Sequence, residues 1–288
     1  MRKESLPRKI ALFLGFAGPS MILFVTFIIL PFIYGIYLTM TNWDGFSSVK
    51  QFVGFQNYVN VFKDKEFWTS IWLTFRYVVA SVILVNAVAF LLAYLLTSGI
   101  KGEKFLRAGF FTPNLIGGIV LGFIWQFIFN RVFVTLPFFP KQSFLSDPHR
   151  AFWAMVIVET WRASGYMVLI YIAGFVGISS DYIEAARIDG ANNRQILWKI
   201  RLPLMMQCFT ICLFLTLSAA FKVYDTNLSL TNGGPFNSTR MAAMTIFEKA
   251  FSYHDYGMGQ AEAIVFFLIM LIVAIIQLNV TRKREVAA

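Results

Sequence analysis

Six long runs of apolar residues limit the folds open to this 288-residue sequence more than any other feature. A bilayer core about 30 Å thick is crossed by roughly 20 consecutive apolar residues in a helix. Runs of that length with few charges lie at about residues 10–40, 70–96, 108–130, 151–178, 204–225 and 260–280. Hydrophobic residues make up 58% of the chain and charged residues 14%, which is typical of membrane proteins. We therefore expect an all-α integral membrane protein with six transmembrane helices.

The lysines and arginines predict how these helices are oriented. The N-terminus, the segments 97–107 and 178–203, and the C-terminal tail share one side of a six-helix protein and hold 14 Lys and Arg, against 8 in the longer opposite loops. The positive-inside rule then makes this a multi-pass protein of the cell membrane with both termini cytoplasmic. The expected organisation is a cytoplasmic N-terminus at 1–9, a transmembrane domain at 10–281 and a cytoplasmic tail at 282–288. Because the first apolar run is longer than a signal-peptide core, we expect it to be an uncleaved helix.

The chemistry-bearing residues do not indicate an enzyme. The sequence contains no G-x-x-x-x-G-K-[ST], H-E-x-x-H or G-x-S-x-G motif, so nucleotide hydrolysis would have to come from another chain. Cys208 and Cys212, one turn apart in an apolar run, are interpreted as packing residues, and His149 and His254 are far apart in sequence. We expect no metal and no cofactor in this chain. The net charge of +10 is spread over short loops, so no nucleic-acid partner is expected beside the lipid bilayer.

The segment 178–203 is polar and charged although it lies between two apolar runs. Asp181 or Ser180 can cap a helix that starts at Tyr182, and Gly190 allows a left-handed turn. Apolar residues at near-helical spacing follow, and Pro203 is tolerated in the first turn of the next helix. A solvated connection is the alternative, but connections between helices are usually about 2–8 residues long. We therefore interpret the segment as a helix–turn–helix that docks onto a partner.

Glu184-Ala185-Ala186, Gly190 and Ile200-Arg201-Leu202-Pro203 resemble, in residue type and spacing, the EAA motif of the membrane subunits of ABC importers. The resemblance implies a type I importer permease fold and a coupling loop that sits in a cleft of the ATPase subunit. It also implies a second homologous permease, two ATPase subunits that hold ATP and Mg²⁺, and an extracytoplasmic solute-binding protein. The residues that it assigns to ATPase coupling are Glu184, Ala185, Ala186, Asp189, Gly190, Ala191, Ile200, Leu202 and Pro203.

A second patch, Leu230-Thr231-Asn232-Gly233-Gly234-Pro235, resembles the sugar-permease branch that includes the larger permease of the maltose transporter. This resemblance implies a carbohydrate substrate, expected to be an oligosaccharide, that moves into the cytoplasm by alternating access. An importer for another solute, such as glycerol phosphate or an amino acid, would keep the EAA motif. A secondary transporter is the alternative from another class, but the hydropathy pattern shows no inverted repeat. A membrane enzyme is disfavoured because no paired catalytic residues share one face.

Polar residues at membrane depth are costly, so each is a candidate for substrate contact. Two helix faces in the fourth and fifth runs, and a region of the third, correspond by position to the sugar contacts of maltose-type permeases. Their residues are Asn114, Gly118, Glu159, Arg162, Ala163, Tyr166, Thr216, Ala220 and Val223. Glu159, Ala220 and Val223 stand where that branch has amides, so the substrate or its pose is expected to differ.

The same charged residues have a purely structural alternative. Glu159 can pair with Arg162 one turn away, and Lys222 can pair with Asp225, as buried ion pairs. Both interpretations of these residues stay open at the level of sequence. Arg76 and Glu262 are interpreted as interface residues near helix ends.

Overall fold

The computed structural model describes residues 6–138 and 141–285, with side chains from residue 12 onward. Within these residues the chain is helical, and its sole β-pairing is an isolated bridge between Thr41 and Phe52. The prediction of an all-α protein is confirmed.

The α-helices, in chain order, are α1 (Leu6–Phe24), α2 (Leu30–Leu38), α3 (Gln56–Lys63), α4 (Lys65–Leu96), α5 (Glu103–Phe111), α6 (Gly118–Phe127), α7 (Phe133–Thr135), α8 (Pro148–Val176), α9 (Ser180–Ile188), α10 (Asn193–Ile196), α11 (Leu202–Leu204), α12 (Met206–Phe221), α13 (Asp225–Leu230), α14 (Ala242–Phe247) and α15 (Tyr256–Arg282). Wider π-helical turns lie at Val25–Ile29, Ile128–Val132, Leu197–Arg201 and Glu248–Ser252, and 3₁₀ turns at Thr112–Leu115 and Phe144–Ser146.

Among the described residues, five helical stretches are long and apolar enough to cross a membrane. They are Leu12–Leu38, α4, Gly118–Thr135, α8 and α15. A sixth candidate is the pair Asn193–Leu204 and Met206–Phe221, which is bent by 66°. The six expected spans are therefore found only if this bent pair counts as one of them.

The third run departs from its predicted bounds of 108–130. Pro113 lies in the 3₁₀ turn, and Ile116 and Gly117 have extended backbone, so the helix restarts at Gly118. The missing N–H of Pro113 removes a hydrogen bond to the preceding turn, which accounts for the end of α5 at Phe111, and the extended backbone of Ile116 and Gly117 completes the break. The continuous span in this region is Gly118–Thr135.

The described chain divides into two compact units. The first runs to Asp64 and also takes in Ile246–Val265. In this unit a Cβ on Gly257 would lie 2.0 Å from the carbonyl oxygen of Thr41, so only glycine allows that approach. Glu262 is fully buried here, in the second turn of α15, so it lies near a helix end as predicted, whereas the prediction that it is an interface residue is wrong.

The second unit comprises Lys65–Thr245 and the chain from Phe266 onward. Its core joins α4, α8 and α12 through small residues of α4, such as Ala89 and Ala93, and large ones of α8, such as Tyr171. Small residues let membrane helices approach closely, which replaces the hydrophobic driving force that lipid does not supply. Arg76 is exposed but lies three turns inside α4, because this helix begins at Lys65 and not near Ser70.

Candidate functional site

The segment after α8 begins with a capped helix. The hydroxyl of Ser179 accepts a hydrogen bond from the backbone N–H of Asp181 at 3.3 Å, and α9 starts at Ser180. Ser179 is therefore the N-cap, and the prediction of Ser180 or Asp181 in that position is wrong by one or two residues. The backbone of Ser179 is not helical (φ −58°, ψ 138°), as an N-cap requires, whereas Ser180 already belongs to the helix.

The end of α9 is closed by a left-handed glycine. The N–H of Ala191 donates to the carbonyl of Ala186 at 2.9 Å, and the N–H of Gly190 donates to that of Arg187 at 3.0 Å. These two bonds form a Schellman motif, which places its penultimate residue in the left-handed region. Gly190 has φ +80°, so the predicted left-handed turn is confirmed.

The second helix of the segment has its own cap. Asn192 and Gln195 form a capping box, in which each side chain accepts a hydrogen bond from the backbone N–H of the other, at 2.9 and 2.8 Å. The helical stretch Asn193–Leu204 then bends by 66° into α12. Pro203 lies near the end of this stretch, in α11, and not, as predicted, in the first turn of the helix that follows the bend. Because both helices are capped by residues within the segment, the helix–turn–helix is formed without a partner.

The nine predicted coupling residues differ in exposure. Glu184, Ala185, Asp189 and Gly190 are exposed, Ala186 is buried, and Ala191, Ile200, Leu202 and Pro203 are partly buried. Ile188, an apolar residue of the same helix, is 86% exposed. The segment thus presents a surface of mixed polar and apolar groups rather than packing fully against its own chain.

Glu159 and Arg162 form an ion pair on α8. The guanidinium donates to both carboxylate oxygens, with Nη2 at 2.9 Å from Oε1 and 2.8 Å from Oε2, and Nε at 3.1 Å from Oε2. Glu159 is 3% exposed, whereas the side chain of Arg162 is 27% exposed. The structural alternative for these two residues is therefore realised, and the pair still presents its guanidinium to the surface.

That guanidinium lines a polar cavity of about 210 Å³ at the end of α12. The cavity brings together three of the predicted substrate residues, Gly118, Arg162 and Val223. The sequence analysis did not assign the other lining residues to the substrate: they are Ala219, Lys222, Tyr224, Asp225 and Thr226. Across the described part of the chain no ion pair links Lys222 to Asp225, so this second structural pairing is wrong.

Two glycines of α6, one of which lines the cavity, allow this helix to pack closely on α13. A Cβ on Gly118 would lie 2.9 Å from the Cβ of Asp225, and one on Gly122 would lie 1.9 Å from the hydroxyl oxygen of Ser229. The hydroxyl of Ser229 also donates to the carbonyl of Gly118 at 3.3 Å. The close packing of α6 on α13 therefore depends on the absence of side chains at both positions.

The remaining predicted substrate residues do not line the cavity. Ala163, Thr216 and Ala220 are buried in helix packing, whereas the ring of Tyr166 is 42% exposed. Asn114 is partly buried in the 3₁₀ turn Thr112–Leu115. Three of the nine predicted residues thus line the cavity, and the other six lie elsewhere in the unit.

A buried hydrogen-bond network, which the sequence analysis missed, connects three helices of the second unit. The amide of Asn86 donates to the hydroxyl of Thr216 at 2.9 Å and accepts from that of Tyr171 at 2.8 Å. Thr216 in turn donates to the carbonyl of Cys212 at 2.8 Å. A lone amide within the apolar sequence of α4 is the signal that could have identified it, because such groups need partners in a membrane.

No group of three His, Cys, Asp or Glu side chains suited to a metal occurs within residues 6–138 and 141–285.

Comparison with known proteins agrees with this architecture. Residues 85–286 match the model of the binding-protein-dependent transport system inner membrane component family. The probable starch degradation products transport system permease protein AmyD of Thermoanaerobacterium thermosulfurigenes is 42% identical over 275 residues, which cover 94% of each chain. The trehalose/maltose transport system permease protein MalF of Thermococcus litoralis is 32% identical, covering 93% of this chain and 92% of the relative.

Among solved structures, a chain of the bacterial alginate ABC transporter, in complex with an alginate pentasaccharide-bound periplasmic protein, superposes with a TM-score of 0.84. The two chains are 19% identical, and the match covers 97% of this chain and 98% of the other, which shows a shared fold. The predicted permease fold is confirmed. The chain belongs to the family of binding-protein-dependent transport system inner membrane components, the membrane-spanning permease subunits of ABC importers.

Proposed function

We propose that this chain is one of two permease subunits of a carbohydrate importer driven by separate ATPase subunits. The observation that carries the proposal is the self-capped helix–turn–helix at 180–204, which is joined to α12 by a 66° bend. Its exposed residues suit docking into a cleft of an ATPase, and the bend connects the docked helices to the helix that ends at the polar cavity. ATP and Mg²⁺ belong to the ATPase subunits, and the residues of this chain transmit movement.

The distribution of Lys and Arg determines on which side of the membrane each segment lies in this proposal. Both termini and the helix–turn–helix lie in the cytoplasm, where an ATPase subunit can reach them. The polar cavity then receives its substrate from an extracytoplasmic binding protein. Alternating access requires an element that can take two positions, and nucleotide binding must favour one of them. The docked segment is that element.

A carbohydrate is the proposed substrate because of the relatives and of the cavity chemistry. The guanidinium of Arg162 is held in place by Glu159, so it offers fixed donors to sugar hydroxyls. The hydroxyl of Thr226 and the carboxylate of Asp225 add acceptors in the same cavity. Two relatives transport starch degradation products and trehalose or maltose according to their names, which supports an oligosaccharide.

The first experiment is to purify the tagged chain from its native membrane in mild detergent and identify the accompanying proteins by mass spectrometry. A second permease and an ATPase are expected, and ATP hydrolysis by the complex is then measured with the binding protein and a panel of sugars. If glycerol phosphate or an amino acid stimulates ATP hydrolysis and no sugar does, the proposed carbohydrate substrate is wrong. A chain that is isolated alone and transports solute in liposomes would be a secondary carrier, contrary to the proposal.

A charge reversal tests the docking residues. Glu184→Lys, on the exposed face of α9, is expected to abolish uptake while the protein still inserts into the membrane. Glu103→Lys is the control, since Glu103 also lies on a short helix outside the spans and belongs to no docking motif, and its partly exposed pair with Arg107, at 3.5 Å, contributes little. Normal uptake by Glu184→Lys, or an equal loss in both variants, would contradict the coupling role.

A further inference from the structure

An apolar groove of about 530 Å³ runs between α12 and the end of α15. Met206, Phe209 and Leu213 form one wall at positions i, i+3 and i+7, which lie on one face of a helix. Val280 and Thr281 contribute the wall from α15. Seven residues of helix extend about 10 Å, which is most of the roughly 15 Å depth of one leaflet's hydrocarbon. The groove therefore has the length and the polarity of an acyl-chain site.

The end of the groove is different in character. Trp198, on the helical stretch before the bend, and Arg284, just past α15, both line it. Indole rings settle at the level of lipid headgroups, and an arginine that directly follows an apolar helix lies at the same level. The groove thus passes from apolar walls to a cationic and amphipathic rim where the chain leaves the membrane.

Cations dominate the sequence around this rim. The segments 192–204 and 277–285 contain one acidic residue, Glu285, and six cations: Arg194, Lys199, Arg201, Arg282, Lys283 and Arg284. In the described part of the chain none of these cations forms an ion pair. An occupant with an anionic group at this end is therefore favoured by charge.

We propose that the groove is a binding site for one anionic phospholipid, with an acyl chain along α12 and its phosphate on Arg284. The occupant must be apolar over about 10 Å and negatively charged at one end, and it must lie at the membrane surface. A phospholipid has these properties in this order, whereas a protein surface would have to supply an apolar ridge and an acidic group at membrane depth. The site joins the helix after the bend to the last helix, so its lipid would tie these two elements together.

The test is lipid binding by native mass spectrometry. The protein is purified in mild detergent with the subunits that accompany it, stripped of lipid, and titrated with phosphatidylglycerol or phosphatidylcholine. Arg284→Ala is compared with Lys283→Ala, which removes the same charge from the next residue but does not line the groove. Met206→Trp fills the groove without changing the charge.

Phosphatidylglycerol is expected to bind more tightly than phosphatidylcholine, and Arg284→Ala is expected to weaken it about fivefold. Lys283→Ala should leave the affinity within about twofold, and Met206→Trp should remove the bound lipid. Equal binding of the two lipids, or equal losses in the two alanine variants, would show general surface electrostatics and overturn the site. A photocrosslinker attached to Arg284→Cys that captures a partner subunit in the assembled complex, instead of lipid, would overturn it as well.

Discussion

Replacing Gly190 with alanine tests the proposed coupling segment through a backbone effect of calculable size. Gly190 has φ +80°, and a Cβ there would meet no atom within 4 Å, so no clash adds to the cost. An L-residue in the left-handed region costs about 1–2 kcal/mol. The loss of glycine flexibility in the unfolded chain returns about 0.4–1 kcal/mol. The net cost is about 1 kcal/mol, which lowers the population of the native turn about fivefold.

Gly102 provides a control with the same local physics. It has φ +85°, is exposed, and a Cβ there also meets nothing within 4 Å. Gly102→Ala should therefore reduce stability as much as Gly190→Ala. Gly190→Asn keeps a side chain that tolerates the left-handed region, so it should restore most of the loss. These three variants separate the conformation of the turn from the mere presence of a side chain.

The assay compares two quantities for each variant in the purified complex. The apparent melting temperature reports stability, and ATP hydrolysis stimulated by the binding protein, together with uptake, reports coupling. Gly190→Ala and Gly102→Ala should melt alike, whereas only Gly190→Ala should lose coupled uptake. Equal uptake in these two variants would refute the assignment of Gly190 to coupling, because the turn would then affect folding alone.

The remaining predictions concern charge and a buried amide. Glu159→Gln leaves the partly buried guanidinium of Arg162 without its counter-charge and should lower the free energy of unfolding by about 1–3 kcal/mol. Glu103→Gln, in the more exposed pair with Arg107, should cost under about 0.5 kcal/mol, and thermal melts compare the two variants. Backbone N–H donors hold the pKa of Asp44, in a loop outside the spans, at about 2. The stabilisation from this carboxylate is therefore present above pH about 4 and lost as the pH falls towards 2. The protection of the loop amides from hydrogen exchange should fall over the same pH range, and this pH dependence should be absent in Asp44→Asn. Asn86→Leu should lower the melting temperature, because it strands a buried hydroxyl at a cost of about 1–3 kcal/mol.

Sequence predicted the parts of this structure that depend on neighbouring residues. The turn at Gly190 and the helices around it follow from capping and backbone preferences within a few positions, and they were expected within one or two residues. The pair Glu159–Arg162 was also foreseen, because residues three apart face each other on any helix. Pro113 suggested a kink in the third run, but not the interruption after it or the restart of the helix at Gly118.

What sequence could not supply is which helix faces meet. The cavity that contains Arg162 and Lys222 depends on the approach of α6 to α13. Gly118 and Gly122 permit this approach, but a glycine in the sequence does not predict which helix will pack against it. The partners of Asn86 lie 85 and 130 residues away in the chain. Such distant pairs are fixed by tertiary packing, so a single sequence leaves them open.

In the proposed mechanism, the network around Asn86 limits how movement at the bend would be transmitted to the cavity. α12 has 16 residues and is about 24 Å long, so a tilt of about 10° at Met205 would move its far end by about 4 Å. Such a tilt of α12 alone would break the bond between Asn86 and Thr216 and expose unsatisfied buried groups, at about 1–3 kcal/mol each. Phe209, one turn from this pivot, would shift by only about 1 Å against the ring of Tyr171, whose centroid lies 4.9 Å away, so the cost falls on the buried polar groups. Moving α4, α8 and α12 together breaks none of these contacts. For the proposed mechanism the structure therefore favours a rigid-body rotation of the three helices, in which the cavity residues of α8 and α12, Arg162 and Ala219, move together.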